Sequence, residues 1–447
     1  MNGFLKGKVY GFLLFFSLSL IDVRAEEILT PSEVHTRDAA SQQEVALALT
    51  ALTWEDCVKE AKENHPDLIS AEEKLNQAKL TRTITKSNLL PQISSDISER
   101  SSKTSGEDRT DAYSYGITGR QLLFDGFKTS NDIAIAHQNI KSAEYNYELT
   151  SSNVRLALRR AFVELLRMQE LLNITEYIAK RRKQNVELVK LRYEGGREHK
   201  GSLLTAQANL AQAEFEVAQA NRNIDLAQTD LTKELGRTEL TPIKVKGTFE
   251  IEYSSREKPD FEILAESNPL LGELIAQKEA ARIGIGSARA DFFPQVYASA
   301  SAGRSASEWP PEEEEWSVGV SLSFPLFEGG SRIAEVSRAR SKLTQAQADE
   351  RSGQDSVILT LEETWTGFQD AIDKVEVKRK FLEASEERAK ITQAQYSTGL
   401  ISFDNWTIIE DDLVNVKKSF LDTQANALIA EANWTQAKGV TLDYETR

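Results

Sequence analysis

The stretches 113–127, YSYGITGRQLLFDGF, and 316–330, WSVGVSLSFPLFEGG, carry one pattern twice. Tyr113, Tyr115, Ile117 and Leu123 alternate with Ser114, Gly116, Thr118 and Arg120. Trp316, Val318, Val320, Leu322, Phe324 and Leu326 alternate with Ser317, Gly319, Ser321 and Ser323. A period of two over about ten residues is a strand with one apolar and one polar face. The aromatic start suits a membrane interface, and the length suits the ~9–11 residues of a spanning strand. The preceding segments 92–102 and 295–304 are rich in Ser and Ala, with Ile93, Ile97, Val296 and Tyr297 as apolar members. They predict one further strand each, joined through polar loops at 103–111 and 305–315. Two hairpins give four strands, too few to close a barrel. In a membrane, several chains must share one.

The whole chain repeats at an offset of 203 positions without a gap. Pro66 meets Pro269, Pro91-Gln92 meets Pro294-Gln295, Phe124-Asp125-Gly126 meets Phe327-Glu328-Gly329, and Gly236 meets Gly439. Most matches are Pro, Gly or aromatic, the residues that punctuate a backbone. A unit this long is a duplicated architecture rather than a solenoid repeat. The reading divides the chain into a leader 1–25, an N-terminal segment 26–52, repeats 53–236 and 256–439, a linker 237–255 and a tail 440–447.

Each repeat opens on a helix, 54–89 in the first copy, interrupted early at Asn64-His65-Pro66 and at Ser267-Asn268-Pro269. After the hairpin, 127–193 and 331–396 contain no proline and little glycine, predicting helices ~100 Å long at 1.5 Å per residue. Gly195-Gly196 and Gly399 mark turns, and helices return through 202–235 and 405–438. Leu203, Ala206, Leu210, Ala213, Val217 and Ala220 keep the spacing of a helix–helix seam, with small residues that permit close packing.

The 447 residues carry a net charge of -15, which argues against a nucleic-acid surface. Lys6 and Lys8, the apolar run 9–21 and Val23-Arg24-Ala25 form a secretory signal peptide. The single Cys57 excludes an intramolecular disulfide, and no stretch after the leader reaches the ~20 apolar residues of a spanning helix. His35, His65, His137 and His199 show no metal spacing, and no phosphate loop or nucleophile elbow occurs, so nothing supports an enzyme or a cofactor.

In this order, and duplicated, these motifs resemble the TolC family of outer membrane efflux proteins, over nearly all of 52–439. The residues that carry the likeness are Asn64-His65-Pro66 with Asn268-Pro269, Leu90-Pro91-Gln92-Ile93 with Phe293-Pro294-Gln295-Val296, and Leu123-Phe124-Asp125-Gly126-Phe127 with Leu326-Phe327-Glu328-Gly329-Gly330. The tip pair Tyr193 to Gly196 and Tyr396 to Gly399 completes it. The resemblance implies a mainly α fold with a membrane β-hairpin pair. It implies a homotrimer with a shared twelve-stranded β-barrel and an α-helical tunnel, in the outer membrane of a Gram-negative bacterium and extending into the periplasm. It further implies a passive, gated exit duct of a tripartite efflux or type I secretion system. The partners would be a periplasmic adaptor protein and an inner-membrane transporter of RND or ABC type, which supplies the energy.

The family's adaptor-docking turns match Gly195, Gly196 and Arg197, and Thr398, Gly399 and Leu400. The plainer reading is that Gly196 and Gly399 supply positive φ between helices, and both readings hold together. The family's periplasmic gate, a tyrosine–arginine–aspartate network, is matched at Tyr396 only. Its arginine falls on Ile401, its acidic positions on Asn405 and Ile408, and Asp404 is one residue off, ~100° around a helix. Asp404, Asp411 or Asp412 from three chains would form an acidic ring, unless they lie on a solvated outer face. The run 312–315 reads as a hydrated loop tip or an acidic mouth, and Arg100 and Arg120 fall in the polar phase of their strands. The competing reading is a non-pore periplasmic or surface coiled-coil structural protein, for which two exposed apolar alternations have no use.

Overall fold

The structure, a computed structural model, describes residues 51–103, 105–106, 108–250 and 257–443. The leader 1–25, nearly all of 26–52 and parts of the linker and tail lie outside the described residues. Helices α1 (Trp54–Asn64) and α2 (Pro66–Ser87) come first, then strands β1 (Gln92–Ser102) and β2 (Thr110–Phe124). Helices α3 (Lys128–Glu194) and α4 (Lys200–Glu234) follow. The order then recurs as α5 (Phe261–Glu266), α6 (Pro269–Ala290), β3 (Gln295–Ala306), β4 (Glu313–Ser323), α7 (Ser331–Thr398) and α8 (Phe403–Ala437).

The prolines divide the first helix of each half, as read from the sequence. Pro66 forces His65 into extended backbone (φ -68°, ψ 123°), ending α1, and then serves as the first residue of α2. The His65 ring accepts the Asp67 amide through Nδ1 at 3.2 Å, capping α2. Asn268 does the same before Pro269, accepting from Leu270.

The long helices α3 and α7 have 67 and 68 residues. Each is covered by two shorter helices: α2 and α4 pack on α3, and α6 and α8 on α7. Buried Ala206, Ala213, Ala220 and Ala227 of α4 stand seven residues apart, a seam of small side chains that lets the backbones approach. The main core gathers around the middle of α3. There Leu158, Phe162 and Leu165 meet Cys57 and Val58 of α1, Leu231 of α4, and Ile243, Val245 and Leu442. Leu361, Phe368 and Trp434 occupy the corresponding core of the second half with Phe261.

The four strands form one antiparallel sheet in the order β1-β2-β3-β4. β4 departs from the sequence reading, which began it at Trp316 and carried it to Leu326. It starts at Glu313, because the acidic residues are paired rather than loose: Glu314 receives Arg304 Nη2 and Glu315 receives Ser305 Oγ, each at 2.5 Å across the β3–β4 ladder. The run 312–315 is therefore mostly strand, not loop. It ends at Ser323, whereas β2 continues to Phe124, the equivalent of Phe327. β2 has β3 beside it there, with Phe124 opposite Val296, while 324–327 has no neighbour on that side.

Leu158 is fully buried at the centre of the main core. Leu158→Ala is expected to lower unfolding stability by about 2–5 kcal/mol, read by denaturant unfolding in detergent, while an exposed Leu226→Ala change stays near zero.

Candidate functional site

The sheet offers two chemically different faces. By register, Ile93, Ile97, Ile117, Ala300, Ala302, Val318, Val320 and Leu322 share one face. Its large members are exposed, Val318 at 76% and Val320 at 70%. The other face carries serines in cross-strand pairs, Ser98 with Ser114 and Ser301 with Ser317, both at 2.8 Å. Arg120 lies on that polar face, its guanidinium 3.8 Å from the Tyr297 ring centre, and Arg100 shares the phase.

The apolar band is bounded at both ends. Toward the hairpin loops, Trp309 packs edge-on against Tyr113 and Tyr115 at 6.2 and 6.5 Å, and the same face turns charged at Glu99, Arg304 and Glu314. Toward the helices stand exposed Phe127, Phe292, Phe293, Phe324 and Phe327. From Tyr115 to Phe124, at ~3.3 Å per residue and the ~40° tilt of membrane strands, the span is roughly 23 Å, close to the ~25 Å apolar band of an outer-membrane barrel. Among the described residues no helix is long and apolar enough to cross a membrane. Both edges of the sheet are open: β1 and β4, eleven residues each, pair on one side only.

At the far end of the helices the two turns are built alike. Gly196 (φ 68°) and Gly399 (φ 83°) take the left-handed backbone that closes a helix, with Arg197 N–H donating to Arg192 O and Leu400 N–H to Gln395 O. Gly195, Arg197, Thr398 and Leu400 flank them, all exposed. The returning helices are capped by His199, whose Nδ1 accepts from Ser202 N–H, and by Ser402, which accepts from Asn405 N–H.

Tyr396 is fully buried between the two turns. Its ring stacks on Trp406 at 4.3 Å, the Arg192 guanidinium lies 4.5 Å from its centre on α3, and its hydroxyl donates to Glu198 at 3.1 Å. Arg192 Nη1 also donates to the Tyr396 carbonyl at 2.6 Å. Burial pushes the Tyr396 hydroxyl above its ordinary range, and the Glu198 charge adds to this. The sequence reading found the tyrosine but missed Arg192, Glu198 and Trp406. Arg192 and Glu198 flank the first turn, 204 and 198 residues from Tyr396 along the chain, so local spacing carries no sign of the cluster. Asp404 is exposed in the first turn of α8, apart from this cluster. Asp411 and Asp412 are paired, with Arg182 and with Arg388 (3.8 Å) respectively.

Above the tip, arginines of α3 grip α8. Arg160 donates to Asn433 at 2.6 Å, Arg167 to Asp422 at 2.7 Å, and Arg181 to both oxygens of Glu410 at 2.8 and 2.7 Å. Glu410 is 2% exposed, so this fork is a desolvated, two-point bond.

A sequence model of the family described as "Outer membrane efflux protein" matches residues 57–237 and 262–440. The chain is 21% identical over 366 residues to the outer membrane efflux protein BepC of Brucella suis biovar 1, covering 80% of this chain and 78% of that one. It is 24% identical over 424 residues to the outer membrane protein TolC of Vibrio cholerae, covering 89% and 94%. Its fold is that of the channel-forming protein CusC, with a TM-score of 0.76 at 18% identity over 86% of this chain and 91% of that one.

Two outcomes follow from the tip and the fork. Glu410→Ala removes the fork partner of the half-buried Arg181 and is expected to cost about 1–3 kcal/mol, against a smaller loss when Arg181 is also made apolar; equal losses would mean the pair is unimportant. Tyr396 keeps its proton in the folded state at pH values where the unfolded chain, titrating near ~10, has lost it. Stability of the tip is therefore full below pH ~10 and falls as pH rises beyond it. Hydrogen exchange at 192–202 and 393–406 should accelerate there in the parent and not in Tyr396→Phe.

Proposed function

We propose, on the premise that this chain belongs to the outer membrane efflux protein family, that three copies pool their sheets into one closed twelve-stranded barrel. The family consists of channel proteins, and this chain is an outer-membrane exit duct for efflux or secretion, its helices extending into the periplasm. The observation that carries the trimer is the sheet with one exposed apolar face and two open edges. In lipid each unpaired backbone N–H or C=O costs several kcal/mol, so open edges must meet other edges. Two copies would give eight strands, a bore that side chains fill; three leave a wet lumen lined by the small Ser and Gly side chains of the polar face.

The helices α3, α4, α7 and α8 of three copies continue that bore as a tunnel. Gly195, Gly196, Arg197, Thr398, Gly399 and Leu400 present the docking turns to a periplasmic adaptor, behind which an inner-membrane transporter supplies the energy. Transport through the duct itself is passive and gated: Tyr396, held by Arg192 and Glu198, keeps the tips together, and Asp404 of each copy rims the entrance. The rod-like structural alternative is disfavoured by the exposed apolar band, which would be adhesive in water.

Detergent-extracted protein should weigh three chains and conduct ions in planar lipid; a protein soluble without detergent, or silent in the bilayer, contradicts the duct. Gly399→Trp forces a side chain onto left-handed backbone at the exposed turn. It is expected to abolish export while assembly and conductance persist, whereas unchanged export would place docking elsewhere.

A further inference from the structure

A cleft of about 430 Å³ lies where α2 and the end of α4 meet on α3. Asp67, Ala71 and Lys74 of α2 line it, spaced by four and three residues and so on one helix face. Thr150 belongs to its α3 wall, and Lys233 and Glu234 to its α4 end. Every lining group comes from a single chain, so the cleft exists whatever number of copies assemble.

The charges at its base are already matched. His65 accepts the Asp67 amide through Nδ1, which leaves the ring proton on Nε2, 3.6 Å from a Glu234 oxygen. The other Glu234 oxygen accepts from Lys233 Nζ at 2.7 Å. Two groups of opposite sign are left over. Among the described residues, the Asp67 carboxylate and the Lys74 ammonium have no hydrogen-bond or ion-pair partner. They stand seven residues apart, ~10 Å of helix rise, too far to pair with each other.

The duplicated half shows the same place filled. At the 203-residue offset Ala71 becomes Leu274 and Thr150 becomes Gly353. Leu274 sits against Gly353 so closely that a Cβ added there would collide with it. Asp67 becomes Leu270, Lys74 becomes Gln277 and Glu234 becomes Ala437. Asn268, in the place of His65, donates from Nδ2 to the Ala437 carbonyl at 2.9 Å. The same fold thus closes this place with a leucine in one half. In the other it keeps a small alanine and two unused charges.

We propose that the cleft binds a small zwitterion of dipeptide size, its ammonium on Asp67 and its carboxylate on Lys74. A simple cation or anion would satisfy one of these charges and be repelled by the other. An extended dipeptide is at most ~7 Å long, and a hydrogen bond of ~3 Å at each end carries it across the interval. The His65–Glu234 contact joins the start of α2 to the end of α4, so the base of the site is formed before anything binds.

Titration calorimetry on the full-length protein in detergent, with L-alanyl-L-alanine as the probe, tests this. Saturable binding of one molecule per chain is expected, weakened roughly tenfold or more when the probe is N-acetylated or its carboxyl amidated. Asp67→Asn and Lys74→Gln, both at exposed positions, should each weaken the unmodified probe by a similar factor. The N-acetylated probe should bind the parent and Asp67→Asn alike, which ties the ammonium to that carboxylate. Ala71→Leu with Thr150→Gly, which copies the second half, should abolish binding while helicity is retained. Gln277→Ala, at the matching place in the second half, should leave binding within about twofold of the parent. No saturable heat with the parent protein would overturn the site. So would equal binding of the acetylated and free probes, or undiminished binding by the two charge-removing variants.

Discussion

Two unpaired strand edges govern this molecule. A backbone amide can be satisfied by water, by another strand or by its own helix, and lipid removes the first option. The alternation that makes β1–β4 amphipathic commits their apolar face to lipid, so β1 and β4 each need a neighbour that one chain cannot provide. In the proposed trimer, the oligomeric state, the bore and its wet polar interior would follow from the same arithmetic of strands, with serine and glycine keeping the interior open.

The helical part answers a different demand, that of length. A helix of 67 residues cannot bury one continuous face against a single partner of 35, so α2 and α4 share the task end to end, with the main core at their junction. Alanines at seven-residue spacing let α3 and α4 run close. Between the two halves, buried apolar contacts of Val163 with Ala425 and Leu428 are joined by polar ones. Arginines with carboxylate partners fix register as well as distance, because a planar fork engages two oxygens in one orientation only.

Much of this was legible in the sequence, and the misses have physical causes. Prolines and positive-φ glycines act locally, so the breaks at His65 and Asn268 and the turns at Gly196 and Gly399 could be read directly. The start of β4 could not, since three glutamates look like a loop until Arg304 and Ser305 are known to lie across from them. Its end could not either, because pairing depends on a neighbour and not on the alternation alone. Phe127 hid a left-handed residue (φ 67°) where the second half has Gly330, a position that only comparison of the halves exposes. The cluster around Tyr396 joins residues 192, 198, 396 and 406, and such a constellation has no signature in local spacing.

If β4 of one copy extends β1 of the next in the register that joins β2 to β3, then Leu322 lies opposite Ile97 of the neighbouring copy. Oxidising a protein that carries Leu322→Cys and Ile97→Cys, after extraction from the membrane, measures this directly. Conversion to a covalent ring of three chains is the result the proposed barrel predicts. Chains that remain separate, or that close the bridge within themselves, would mean that the edges do not meet and that no shared barrel exists.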